Sequence, residues 1–187
     1  RLFRVGGWGH ILGDEGSGYY FGKRGLAAMV KSYDGREKST SITEKILKCL
    51  NFTTVDELIP YVYNNLGNKG NISSLSKLVI EAAEEGDSVA KKIITEGLEE
   101  LVSMTITVVE QMDKNLDIAL SGGIFENSTL MKLKFKEILL RKNHKLNVIE
   151  NKYSPGIGAL IVGWEHMKVE YDSSKLLKQI KDADIYV

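Results

Sequence analysis

The stretch "LDIALSGGIFENSTLMKLKFKEILLRKNHKLNVIEN", Leu116 to Asn151, decides the fold class. "LDIALSGGIF" reads as a short apolar strand running into two glycines, and "NSTLMKLKFKEILLRK" as an amphipathic helix. "KLNVIEN" reads as a second strand, and "SPGIGALIVGWEHMK" beyond it as a helix of small residues. Strand, glycine turn, helix, strand, helix is an α/β order.

Working outward towards the N-terminus, helices dominate. Gly18 to Lys31 is predicted helical, entered through Asp14 and Ser17, and ended by "YDGRE". Ser41-x-x-Glu44 and Thr54-x-x-Glu57 have the capping-box pattern, each opening a short helix. Pro60 falls early enough in the second to be tolerated, or else kinks it. "NNLGNKGN", Asn64 to Asn71, is a loop by composition, after which Asn71 is expected to cap "ISSLSKLVIEAAEE". Gly86 should stop that helix. Asp87 then caps a long one to about Met112, in which Val89, Ile93, Ile94, Leu98, Leu101, Val102, Thr105 and Val109 follow helical spacing. The tail "YDSSKLLKQIKDADIYV" reads as a polar helix. Repeats and low-complexity tracts are absent.

Composition sets the bounds. The 187 residues suit one domain or one lobe of something larger, and a 43% hydrophobic content is enough for a core. The 25 basic and 25 acidic residues cancel, so neither nucleic acid nor an anionic membrane is expected as a partner. No segment approaches the roughly 18 apolar residues of a membrane span, and no signal peptide is read. The single cysteine, Cys49, rules out an internal disulfide framework, suits a reducing cytoplasm, and is expected to be a buried structural thiol. The first residue is Arg, so the chain reads as processed or excerpted from a cytoplasmic protein.

Two stretches could carry chemistry. In "SGGIFEN", Ser121 to Asn127, glycines directly after a strand allow a ligand to approach the backbone, and the helix expected to begin near Asn127 favours negative charge at its start. That suits a nucleotide cradle, though no Lys-Ser/Thr follows as in a P-loop and the GxGxxG fingerprint is missing; a plain tight turn is the alternative. In "VGGWGHILGDEGSGYYFG", Val5 to Gly22, an indole held between glycines offers a flat face to a sugar ring, and Asp14 would accept hydrogen bonds from hydroxyls. The alternative packs Trp8 in the core and leaves Asp14 as a helix cap. His10 and Glu15 are individually uninformative; His144 and His166 look like surface residues. "SPGIGALIVGW" is read as structural. One Cys and three scattered His give no zinc-ligand spacing.

At this point the residues reach a family. "GGWGHILGDEGSGYYFG", "ISSLSKLVIEAAEEGDSVAKKIITEGLEEL", "IALSGGIFEN" and "SPGIGALIVG" resemble, in the same order, signatures of the N-acetylglucosamine kinases, which belong to the BadF/BadG/BcrA/BcrD-type ATPases of the actin–hexokinase–Hsp70 superfamily. The likeness runs from Gly6 to about Trp164. It implies a helix-rich α/β C-terminal actin-like (ribonuclease H-like) lobe, with a helical insertion roughly over 36–112 and an incomplete sheet whose open edge pairs with chain not present here. It implies ATP, with Mg, as the phosphoryl donor, an amino sugar such as N-acetylglucosamine or glucosamine as substrate, and a site shared with an N-terminal half; a homodimer stays open. By this resemblance Gly7, Trp8, Gly9 and Asp14 contact the sugar, while Ser73 at a helix start, Gly122, Gly123 and Asn127 contact ATP.

The family's "DGGGTKT"-like phosphate loop, its catalytic Asp and its "GTGS" loop have no match in this sequence. The resemblance therefore implies the C-terminal part of a kinase, inactive without the other half and holding no catalytic base. The alternatives are a related ATPase that activates a dehydratase, for which Cys49 is a poor iron–sulfur remnant, and a non-catalytic sugar- or nucleotide-binding module.

Overall fold

The computed structural model describes residues 3–64, 69–112, 116–151 and 153–168, together with Asp172 and Lys175. Most of the proposed C-terminal tail helix lies outside the described residues.

The architecture is helix-rich α/β with one small parallel sheet. In chain order it runs α1 (Gly18–Tyr33), α2 (Ser41–Leu50), a 3₁₀ turn (Val55–Glu57), α3 (Leu58–Asn64), α4 (Lys69–Ser74), α5 (Ser76–Glu84) and α6 (Ser88–Met112). Then follow β1 (Asp117–Ala119), α7 (Gly123–Glu126), α8 (Thr129–Lys142), β2 (Asn147–Ile149) and α9 (Pro155–His166). β1 and β2 pair in parallel, Ile118 opposite Val148. Parallel pairing requires a crossover, which α7 and α8 supply.

α1 is the hub. Its buried face, Phe21, Gly22, Gly25, Leu26, Ala28 and Met29, meets α2, α4, α5 and α6. Close approach depends on absent side chains. A Cβ on Gly22 would run into the Ile72 carbonyl of α4, and one on Gly97 of α6 would meet the rings of Phe21 and Tyr20. The Arg24 guanidinium pairs with Glu96 across the α1–α6 seam. α8 covers the other flank of α6 with Met131, Phe135, Ile138 and Leu139.

Several caps are where the residues suggested. Ser17 Oγ accepts from Tyr20 N at 3.1 Å, so Ser17, not Asp14, caps α1 with its side chain. Glu57 Oε1 accepts from Thr54 N at 2.9 Å and Thr53 N at 2.7 Å; those amides hold its carboxyl below the usual range. Asp87 Oδ1 caps α6 through Ala90 N at 2.8 Å.

Others differ. Thr40, not Ser41, caps α2, because Ser41 N is taken by Asp87 Oδ2 at 2.8 Å. Asn71 is inside α4, with Lys69 and Gly70 already helical before it; the run breaks at Leu75 and resumes as α5. The glycine turn coils into α7 on its own, and Ser128 rather than Asn127 caps the following helix, accepting from Met131 N. Cys49 is exposed, on the outer side of α2.

Candidate functional site

The glycine-rich opening is a tight loop laid against α6. Gly13 N donates to Gly9 O at 2.8 Å, closing a turn that lifts Ile11 and Leu12 into solvent. Trp8 is flanked by Gly7 (φ +69°) and Gly9 (φ +90°), a backbone that other residues adopt only with strain. The indole is 66% exposed, so it is not a core residue. Gly16 (φ +74°) is needed twice over, since a Cβ there would strike the Leu101 side chain and lie 2.9 Å from Gly97 O. His10 packs edge-on to Tyr19 at 5.0 Å.

Two cavities adjoin this loop. One, of about 420 Å³, is lined by Gly7, Asp14, Glu15, Met104, Gly122 and Gly123 among others. The Asp14 carboxylate forms no hydrogen bond within the described residues and is free to serve that space.

The second cavity, about 680 Å³, is bounded on one wall by Ser73 and by Ser76, Lys77, Ile80, Glu81 and Glu84 along one stripe of α5. Gly123, Ile124, Asn127 and Ser128 form the opposite wall. A volume of this size fits a nucleotide-sized ligand, for which pockets run to roughly 300–1,000 Å³. Among the described residues its large apolar side chains are Ile80 and Ile124, from opposite walls. Gly18, Gly123 and Ile124 border both cavities, so the two spaces meet there.

The structure thus brings Ser73, Gly123 and Asn127 together, and Gly7, Asp14, Gly122 and Gly123 together. Trp8 and Gly9 line neither cavity. Ser73 is in the last turn of α4 and not at a helix start; its hydroxyl is what a Cβ on Gly18 would meet. Two polar groups of the glycine turn are already engaged. Gly122 N donates to Glu126 Oε1 at 3.0 Å, and Asn127 Nδ2 donates to Gly123 O at 2.8 Å, leaving the Asn127 carbonyl oxygen for the cavity. The stripe Lys77–Glu81–Glu84 was not singled out from the sequence; on an amphipathic helix it looks like an ordinary solvated face.

For metal binding, no group of three His, Cys, Asp or Glu converges among the described residues. Nor is any described helix long and apolar enough to cross a membrane.

The chain resembles known proteins over most of its length. Residues 1–163 match the profile of the BadF/BadG/BcrA/BcrD ATPase family. The chain is 34% identical over 165 residues to the N-acetylmuramic acid/N-acetylglucosamine kinase of Clostridium acetobutylicum, covering 87% of this chain and 54% of that protein. It is 25% identical over 170 residues to the N-acetyl-D-glucosamine kinase of Dictyostelium discoideum, covering 88% and 53%. The chain therefore spans about half the length of these relatives. Among solved structures, one from Chromobacterium violaceum assigned as an N-acetylglucosamine kinase superposes with TM-score 0.62 at 24% identity, covering 84% of this chain and 50% of that one. Another so assigned, from Porphyromonas gingivalis, gives 0.53 at 18%, covering 79% and 48%. These two show a shared fold.

Proposed function

Because the chain belongs to the BadF/BadG/BcrA/BcrD ATPase family, we propose that it forms the C-terminal actin-like lobe of a cytoplasmic, ATP-dependent amino-sugar kinase, with residues 36–112 as a helical insertion. The observation that carries the reading is the meeting of the two cavities at Gly18 and Gly123. Phosphoryl transfer requires a sugar hydroxyl and a γ-phosphate in contact, so their two sites must adjoin.

The smaller cavity takes the sugar, with Asp14 accepting from its hydroxyls, Gly7 and Gly9 shaping the backbone beside it, and Trp8 a platform at its mouth. The larger takes ATP. Its base fits between Ile80 and Ile124, its polar edge facing Ser73, the Asn127 carbonyl and the α5 stripe, and its chain directed past Gly122 and Gly123 towards the sugar. Mg²⁺ would arrive on the phosphates, and held in that way needs only one or two protein carboxylates.

In the reaction, the sugar oxygen bonds to the γ-phosphorus, the bridging oxygen leaves with ADP, and a base takes the hydroxyl proton. We assign the base and the two phosphate loops to an N-terminal half, since no such motif occurs in this sequence. The relatives' names have N-acetylglucosamine in common, and one adds N-acetylmuramic acid; an N-acetylated hexosamine is the substrate class proposed here.

The test is ADP release coupled to amino sugar. The full-length protein should turn over, and the 187-residue chain alone should remain at background. No sugar-dependent ADP release from the full-length protein would remove the kinase reading; turnover by the chain alone would remove the division into halves.

A further inference from the structure

Ser76 is the first residue of α5 and lines the larger cavity. It is only 7% exposed, and its hydroxyl forms no hydrogen bond among the described residues. A buried hydroxyl without a partner carries a desolvation cost that a ligand atom can offset.

The surroundings say which kind of ligand. Gly18 opens α1, and a Cβ there would come 3.5 Å from Ser76 Oγ, so two helix starts face each other where the cavities meet. α5 has no side-chain cap. Helix starts present unpartnered amides and a positive dipole end, which favour an anion. Lys77 also lines the cavity and forms no ion pair among the described residues. Glu81 and Glu84 line it farther along α5, Glu84 about 12 Å from Ser76 at the helical rise. The groove is therefore positive where it joins the smaller cavity and negative at its far end.

We propose that Ser76 and Lys77 hold the phosphate chain of the nucleotide donor. The Ser76 hydroxyl donates to a phosphate oxygen, the Lys77 ammonium offsets the phosphate charge, and the two carboxylates at the other end turn away the reversed orientation. This rests on the reading of the larger cavity as the nucleotide site. Orientation matters there, because only phosphates at the junction adjoin the sugar.

The experiment is calorimetric binding of ATP and of adenosine to the full-length protein and to its Ser76→Ala, Lys77→Met and Lys77→Arg variants. Ser76→Ala breaks no hydrogen bond of the fold, so its thermal midpoint should match the parent's. Relative to adenosine, ATP affinity should fall about 10- to 150-fold in Ser76→Ala, the range for a hydrogen bond to a charged group. It should fall in Lys77→Met as well, by a factor that shrinks with added salt, and Lys77→Arg should retain most of it. Equal losses for the two ligands, or an unchanged ratio in either Ser76→Ala or Lys77→Met, would overturn the proposal. A parent that binds adenosine as tightly as ATP would also overturn it, while leaving the base site standing. A parent that binds neither would overturn the reading of the cavity and this proposal with it.

Discussion

Asp87 and Ser41, 46 positions apart, are joined by a single carboxylate that closes two helix starts at once. Oδ2 accepts from Ser41 N at 2.8 Å and Oγ at 3.3 Å, while Oδ1 accepts from Ala90 N at 2.8 Å. Burial alone would raise the Asp87 pKa, but hydrogen bonds from the Ala90 and Ser41 amides, with those of the Thr40 side chain and the Val89 amide, outweigh it and hold the carboxyl below its ordinary 3.8. Removing a cap of this kind costs about 0.5–2 kcal/mol.

Asp87→Ala should therefore lower the midpoint of denaturant unfolding at neutral pH. The pH dependence follows from the sign of the shift. A depressed carboxylate stabilises above its unfolded pKa, and that contribution fades as pH falls through the lower folded value. The gap between parent and variant should be full at pH 6 and narrow steadily below 3.8. A gap independent of pH would show that the charge of Asp87 does not matter.

Gly22 and Gly158 should respond oppositely to alanine. Gly22→Ala forces a methyl into the Ile72 carbonyl and should cost about 1–3 kcal/mol, as overpacking of a seam does. Gly158, inside α9 with open space around its position, should gain about 0.5–1 kcal/mol as alanine. Thermal midpoints of the two variants would decide. A tolerated Gly22→Ala would mean that α1 and α4 are further apart than described.

Gly123→Val separates folding from ligand binding. A Cβ at Gly123 would meet only Asn127 Nδ2, at 3.7 Å, so the fold has room for it. In the full-length protein the midpoint should change little, whereas ATP affinity should fall more than sugar affinity. A folded variant with parental ATP affinity would take Ser121–Asn127 out of the nucleotide site.

Trp8→Ala should raise the sugar KM and leave stability nearly intact, because the indole is 66% exposed. A core tryptophan would instead cost about 3–5 kcal/mol. Asp14→Asn keeps the shape but loses the charged acceptor, and should weaken sugar binding about 10- to 150-fold. Unchanged sugar KM in both variants would leave the glycine loop without a substrate role.

What the residues announced, and what they hid, divides along a physical line. The starts of α1 and α6 were readable because the signals that set them are local: Ser17 caps three residues ahead, and Gly86 and Asp87 stop one helix and start the next. Thr40 could not be found that way, because Ser41 looked the better cap until a carboxylate 46 residues away claimed its amide. Asn71 misled for a related reason. It carries the right side chain for a cap, yet Lys69 and Gly70 before it are already helical, and Ile72 after it packs on Gly22. The candidate site shows the same split. Gly7, Asp14 and the two glycines after β1 stand in short motifs, whereas Lys77, Glu81 and Glu84 matter only because the chain folds Gly123 and Ile124 opposite them.

Gly18, Gly123 and Ile124 border both cavities where the two spaces meet. Occupants of adjoining spaces cannot be thermodynamically independent if either one moves the residues they share. Linkage then demands reciprocity: by whatever factor the occupant of one cavity changes the affinity of the other, the second must change the first by the same factor. With Gly18 from α1 and Gly123 from α7 at the junction, little side chain stands between the two occupants.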